Sequence, residues 1–299
     1  VNLELTNHEL PKFFYDSTPC PYRQKGGSVE AEKLLQSFLN KRGENYQFEM
    51  SSPITAEKSC SRLSTHLTYG TISHRAVFQE ATKKRDQIKH TNKNFAKSIN
   101  SFLSRLHWRS HFIQKLEDQP SIEHTSFIPV YDQIREKDEE KLEAWIEGKT
   151  GVHFIDACMI YLRNYGWINF RMRAMLASFA SYNLWLDWRY FAPRLAALFT
   201  DFEPGIHYSQ IQMQSGTTGI NTIRMYNPYK QAMDQDPLGK FIKSQIPEVK
   251  NFPPAFFHNP PKKSLNVNLF DNEFQKEIIN VKETAQYARK KIFDIRKSQ

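Results

Sequence analysis

Apolar positions along this chain recur in steps of three and four, and almost nowhere in alternation. Such spacing turns one face of a helix toward a core, whereas alternation would mark strands. The first segment opens at Ser28, which caps a helix carrying Ala31, Leu34, Leu35, Phe38 and Leu39; Gly43 ends it. A loop through Ser51, Ser52 and Pro53 leads to Ser59–Ser64, and a helix is predicted from Ser73 to about Lys89. A longer one covers 98–116, with Pro120 beyond its end. Residues 152–164 are apolar nearly all round, as a buried helix should be. Gly166 separates it from a second buried helix predicted over about 168–187, and Pro193 stands near the start of a third. The stretch 201–229 is expected to be the least regular, because Pro204, Gly205, Gly216, Gly219 and Pro228 enclose many polar residues. Beyond the pairs Pro253–Pro254 and Pro260–Pro261 the helical pattern returns with Phe274, Ile278, Val281, Ala285, Ala288, Ile292 and Ile295. The pattern predicts an all-α fold. Residues 1–27 read as an irregular lead-in, 28–250 as a helical domain, and 251–299 as a proline-rich connector with a docked C-terminal helix.

Composition adds the sign of the partner. The 299 residues carry a formal net charge of +9, with a pI near 9.3. That balance points to an acidic partner, nucleic acid before membrane surface. Cys20, Cys60 and Cys158 are too few for a four-cysteine cluster or zinc site, and a sparse odd set fits reduced thiols in the cytoplasm. No apolar run suits a membrane span, so no membrane partner is expected. Between Thr150 and Tyr229 every lysine-or-arginine position is arginine: Arg163, Arg171, Arg173, Arg189, Arg194 and Arg224. The acids in that run are only Asp156, Asp187, Asp201 and Glu203, so some of these forks are expected to meet an anionic ligand.

Motifs narrow the chemistry. There is no G-x-G-x-x-G, P-loop, G-x-S-x-G or H-E-x-x-H. His107 and His111 have ligand spacing on a helix, but no third donor accompanies them, and no metal is expected. Trp145, Trp167, Trp185 and Trp188 fit either a core or a surface for stacking on bases or flavin. The residues alone therefore describe an all-α protein for an anionic, aromatic-ringed ligand such as a nucleotide cofactor.

Three segments go further. Ser59-Cys60-Ser61-Arg62-Leu63-Ser64 with Leu67-Thr68-Tyr69-Gly70-Thr71-Ile72-Ser73 resembles the phosphate loop of DNA photolyases and cryptochromes. Trp108-Arg109 is similar to their "WR" pair. Trp145–Asp156, Gly166-Trp167, Asp187-Trp188-Arg189 and Tyr226-Asn227-Pro228 resemble their flavin core. The match runs in order over roughly 28–250. It implies a multi-helical domain holding a U-shaped FAD; the family's N-terminal antenna domain has no counterpart in these residues. The resemblance assigns FAD contacts to Tyr46, Cys60, Ser61, Arg62, Leu63, Ser64, Arg109, Trp167, Asn169, Arg173, Asp201, Glu203 and His207.

It also exposes departures. In the lesion pocket Trp108 and Arg171 are kept, Met213 replaces a tryptophan, Arg105 a glutamate and Ala174 a methionine. His207 stands beside the flavin where photolyases usually have asparagine, and Phe170 replaces a second asparagine. Of the usual three-tryptophan electron relay only Trp188 remains, with Ile211 and Arg135 near the other positions. Trp185 and Tyr182, three and six residues earlier, are expected near one helix face as a substitute path. The resemblance implies a blue-light, FAD-dependent photolyase acting on damaged DNA, its rival being a cryptochrome-like sensor that binds FAD without repair.

Overall fold

A computed structural model describes residues 19–219, 223–259 and 276–297, and among them there is no strand. Among these residues fifteen α-helices carry the architecture. The first six are α1 (Ser28–Ser37), α2 (Tyr46–Glu49), α3 (Pro53–Ser59), α4 (Ser64–Thr68), α5 (His74–Ile88) and α6 (Lys93–Asp118). There follow α7 (Glu139–Glu147), α8 (His153–Tyr165), α9 (Phe170–Ser178), α10 (Trp188–Ala196) and α11 (Pro204–Ser215). The series closes with α12 (Pro228–Gln235), α13 (Lys240–Gln245), α14 (Ala255–His258) and α15 (Val281–Lys297). The expected connector at Pro260–Pro261, the tail position Phe274 and most of the lead-in lie outside the described residues.

Two apolar cores organise these helices. The larger gathers α8, α9 and α10 around Trp145, Phe154, Met175 and Trp188, all at most 2% exposed. The smaller packs α1, α5 and α6 through Leu35, Phe38, Val77, Ile99 and Phe102. Helix α6 joins them, pairing with α5 on one side and α11 on the other. A third cluster docks α15 by Ala288 and Ile292 onto Tyr131 and Tyr182. No helix among the described residues is long and apolar enough to cross a membrane.

Two of the expected elements are corrected. The stretch read as irregular contains α11, because Pro204 lies in its first turn and Gly216 forms its left-handed C-cap. These residues bracket the helix instead of breaking it. Its sequence looked non-helical because His207, Ser209, Gln212 and Ser215 are buried with the apolar positions, so the helix has no polar face. Gln212 instead serves the chain beside it: its amide donates to Ile122 and Thr125 and accepts from the Phe127 N–H.

The second buried helix stops short of 187. Helix α9 passes into a wider π-turn at 179–183 and ends there. Trp185 is left-handed with φ 59°, and Asp187 caps α10 by accepting from the Arg189 N–H at 2.9 Å. Buried Arg135 stabilises the break: it donates to the Ser181 carbonyl at 2.9 Å and to the Ser215 carbonyl at 2.7 Å.

Candidate cofactor site

The chain enters the site through α3, whose first turn is fixed by Ser52 and Pro53. At its end the run 60–63 turns sharply, and Arg62 adopts φ 62°. A left-handed non-glycine residue costs about 1–2 kcal/mol and needs neighbours that hold it. Arg42 is one: its guanidinium donates to the carbonyls of Lys58, Cys60 and Ser61. Gln24 is another, donating to the Arg62 carbonyl at 2.9 Å. Ser61 Oγ accepts from the Leu63 N–H at 3.4 Å, Leu63 is fully buried, and Ser64 opens α4.

This turn aims the Arg62 side chain at Trp167, with the guanidinium carbon 3.9 Å from the ring centroid. Arg62 is only 8% exposed, and its Nη1 has no hydrogen-bond partner. Asn169 sits alongside in sequence, donating to the Met50 and Ser51 carbonyls while its Oδ1 stays buried and unpartnered. Burial pushes the Cys60 thiol up to about 12, so it is a neutral thiol, not a nucleophile. Burial likewise raises Tyr46 to about 12; its ring packs edge-on against Phe38 and Phe102, and its hydroxyl lies beside Arg105.

A second wall forms where α9, α10 and α11 meet. Arg173 donates to the Ile168 carbonyl at 2.7 Å and to Asp201 Oδ2 at 2.8 Å, lying 4.2 Å over the Phe199 ring. Asp201 Oδ1 is buried without a partner. Arg109, from α6, bridges the Leu67 carbonyl and Glu203 at 3.3 Å each. His207 is boxed by Phe199, Phe202 and Tyr208, and its Nε2 donates to the Ala192 carbonyl at 2.9 Å. Burial lowers its pKa to about 4, so the ring is neutral.

These residues fit an anionic dinucleotide cofactor. Arg62 offers a buried cation with a spare N–H and, among the described residues, no carboxylate on it, the pairing a phosphate completes. The spare acceptors of Asn169 and Asp201 suit the N–H and O–H edges of a base, sugar or ring.

The lesion-pocket residues are carried by the same helices. Trp108 is 49% exposed on α6, stacked on Phe112 at 5.6 Å, and Arg105 is exposed three residues before it. Arg171 on α9 reaches Gln231 at 3.5 Å, and Met213 is half-buried on α11. His107 and His111 face rings, Phe78 for one and Trp108 with Phe112 for the other. No three metal-ligating side chains converge among the described residues.

Two expectations change here. Arginines poor in acids along the sequence find them in space: Arg189 pairs with Asp132 as well as Asp187, and Arg194 with Glu139 and Glu143 of α7. Arg171 of that run, and buried Arg62 and Arg135 outside it, meet no carboxylate among the described residues. The proposed helix face joining Trp188 to Trp185 and Tyr182 does not exist, because 184–187 is not helical. Trp188 donates to Ser126 and meets Tyr208, whereas Trp185 donates to Ile134 and meets Tyr287 under Arg135. Sequence reading missed Arg42, Gln24 and Phe199. Only Phe199, an aromatic two residues before Asp201, carried a usable signal.

Comparison with known proteins identifies the family. Residues 102–294 match the family described as the FAD binding domain of DNA photolyase. A deoxyribodipyrimidine photo-lyase of Streptomyces griseus is 30% identical over 243 residues, 81% of this chain and 50% of that protein. Cryptochrome-2 of Arabidopsis thaliana is 32% identical over 247 residues, covering 78% of this chain and 39% of its own. An archaeal photolyase from Sulfolobus tokodaii, solved with two FAD molecules, superposes with TM-score 0.73 at 30% identity, over 91% of this chain and 57% of that one. The chain spans about half the length of the curated photolyases it matches.

Proposed function

Because this chain belongs to the family of the FAD-binding domain of DNA photolyase, we propose that it holds one FAD non-covalently and repairs pyrimidine dimers in DNA under blue light. The observation that carries the reading is Arg62, a buried guanidinium with a free N–H, no carboxylate partner and an aromatic floor. When bound and reduced, FAD supplies an electron donor excited by light.

The protein's share of the work is holding, shielding and presenting. Arg62 and the hydroxyls of Ser61 and Ser64 would hold the diphosphate, with Tyr46 and Arg109 flanking it. The Arg173–Asp201 pair would fix the orientation of the ring system, and Trp167 would close one side. Neutral His207, wrapped in three aromatic rings, keeps water from that wall. Exposed Trp108 offers a face on which a flipped base stacks, worth about 1–3 kcal/mol. Arg105 and Arg171 supply cations for the flanking phosphates, so DNA binding should weaken as salt rises.

A second reading, a light sensor that binds FAD without repair, is favoured by one feature. The exposed cation Arg105 stands where the resemblance implies a glutamate, and a cation cannot accept a hydrogen bond from a base edge. The deciding experiment is repair of a dimer-containing oligonucleotide by reduced, illuminated protein, with Trp108→Ala alongside. Turnover lost in the variant supports repair; light-dependent flavin changes with no repair of any pyrimidine photoproduct support sensing.

A further inference from the structure

Helices α3, α8 and α13 border an open cleft of about 450 Å³, lined by none of the residues assigned to the flavin. The size suits a small ligand, since such sites run about 300–1,000 Å³. One side is a ladder of tyrosines. Tyr161 and Tyr165, one turn apart on α8, stack at 4.1 Å with ring planes 14° apart, and Tyr22 lies against Tyr165 at 4.9 Å with its plane tilted by 32°. The ladder is graded: Tyr161 is buried, Tyr165 half-buried and Tyr22 60% exposed. Phe241 of α13 abuts its inner end at 5.5 Å.

Charge is placed on both sides of this ladder. Glu57 of α3 accepts from the Tyr161 hydroxyl through Oε2 at 3.0 Å, and no cation pairs with it among the described residues. Lys240 lines the cleft from α13 and makes no ion pair among those residues. The cleft thus joins the exposed ring of Tyr22 at the outer end of the ladder, an oriented carboxylate and a separate ammonium.

We propose that this cleft is a second binding site, for a guanine nucleotide. A base stacks on tyrosine through its π-face whatever its identity. The carboxylate accepts only, and guanine alone among the common bases presents two adjacent donors, N1–H and the 2-amino group, for its oxygens. Adenine offers an acceptor where guanine has N1–H, and that acceptor would face the carboxylate lone pairs. The Lys240 ammonium meets the phosphate as a point charge.

The test is calorimetric titration of purified protein, first loaded with FAD, using GMP, AMP and guanosine. FAD loading is read by absorbance, so failure of the flavin reading and failure of this one are distinct. GMP should bind one per chain, with AMP at least about tenfold weaker, as expected for one mismatched polar edge. Glu57→Gln should bring GMP and AMP within about twofold, and Lys240→Ala should bring GMP and guanosine together. Both side chains are exposed, so melting temperature should stay put. No GMP binding at millimolar concentration, equal binding of GMP and AMP, discrimination unchanged in Glu57→Gln, or release of FAD on adding GMP would each overturn the proposal.

Discussion

The loop wall around Arg62 and the helix wall around Arg173 hold their arginines by opposite means. Arg173 is neutralised within the protein by Asp201 at 2.8 Å and a backbone carbonyl at 2.7 Å. Arg62 has a ring beneath it, a free N–H and no carboxylate. Its charge is therefore open to an anion, whereas that of Arg173 is already paired within the fold. A buried cation without a partner is costly, and here it is placed on a backbone that is itself strained. The contrast is that one wall leaves its cation open while the other neutralises its own, with Asp201 Oδ1 left to spare.

Changing Arg62 is the strongest test of that difference. Removing a charge-assisted phosphate contact should weaken FAD binding by about 2–4 kcal/mol. Arg62→Gly is more informative than Arg62→Ala, because glycine accepts φ 62° without strain. Both variants should lose FAD in equilibrium dialysis, with the glycine variant melting higher than the alanine variant because it sheds the backbone strain that arginine and alanine share. A glycine variant that keeps wild-type affinity would remove Arg62 from the binding wall.

The helix wall should instead register in stability against pH. His207 has its pKa lowered by burial from 6.5 to about 4. The unfolded chain therefore takes up this proton more readily than the folded one as pH falls below 6.5. Stability is full above that value and is lost between 6.5 and 4, reaching about 3 kcal/mol. His207→Asn should flatten this part of the pH–stability curve measured by urea unfolding. Asp201→Asn comes next: it leaves Arg173 without its carboxylate and should cost about 2 kcal/mol, discounted because the arginine side chain is partly exposed. Thermal melts of the FAD-free protein check it, since the loss should appear without any ligand.

The two walls also differ in how far they could be read in advance. The loop wall is contiguous, so Ser59–Ser64 carries its chemistry in one run of sequence. What the run does not carry is its clamp, because Arg42 and Gln24 arrive from elements elsewhere in the chain. The helix wall is assembled from α9, α10 and α11, and its local signals misled. Pro204 and Gly216 act as a first-turn residue and a C-cap, yet they read as loop punctuation around a segment without an amphipathic stripe. The apolar run through 184–187 read as helix, although Arg135 draws off the Ser181 carbonyl and Trp185 turns left-handed. Both errors have one cause: buried polar side chains replace the hydrophobic periodicity that announces a helix or its end.

The smallest effect should separate two tryptophans on this second wall. Trp185 lies under the buried Arg135 guanidinium at 5.0 Å, and Arg135 also sits 5.4 Å from the Tyr182 ring. No carboxylate among the described residues pairs with that cation, and desolvation lowers its pKa to about 10, leaving it charged at neutral pH. A fixed positive charge over a ring opposes removal of an electron from it. Trp188 has no cation over its ring among the described residues; its indole N–H donates to Ser126 at 3.0 Å and its neighbour is Tyr208. Trp188→Phe should therefore slow light-driven reduction of the FAD-loaded protein by up to about tenfold, equivalent to 1.4 kcal/mol, while Trp185→Phe leaves the rate within about twofold. Arg135→Met gives the converse: with the cation gone, loss of Trp185 should begin to matter. Equal rates for wild type and Trp188→Phe, recorded as flavin absorbance under blue light with external reductant, would discard Trp188 as a donor and leave both tryptophans as packing.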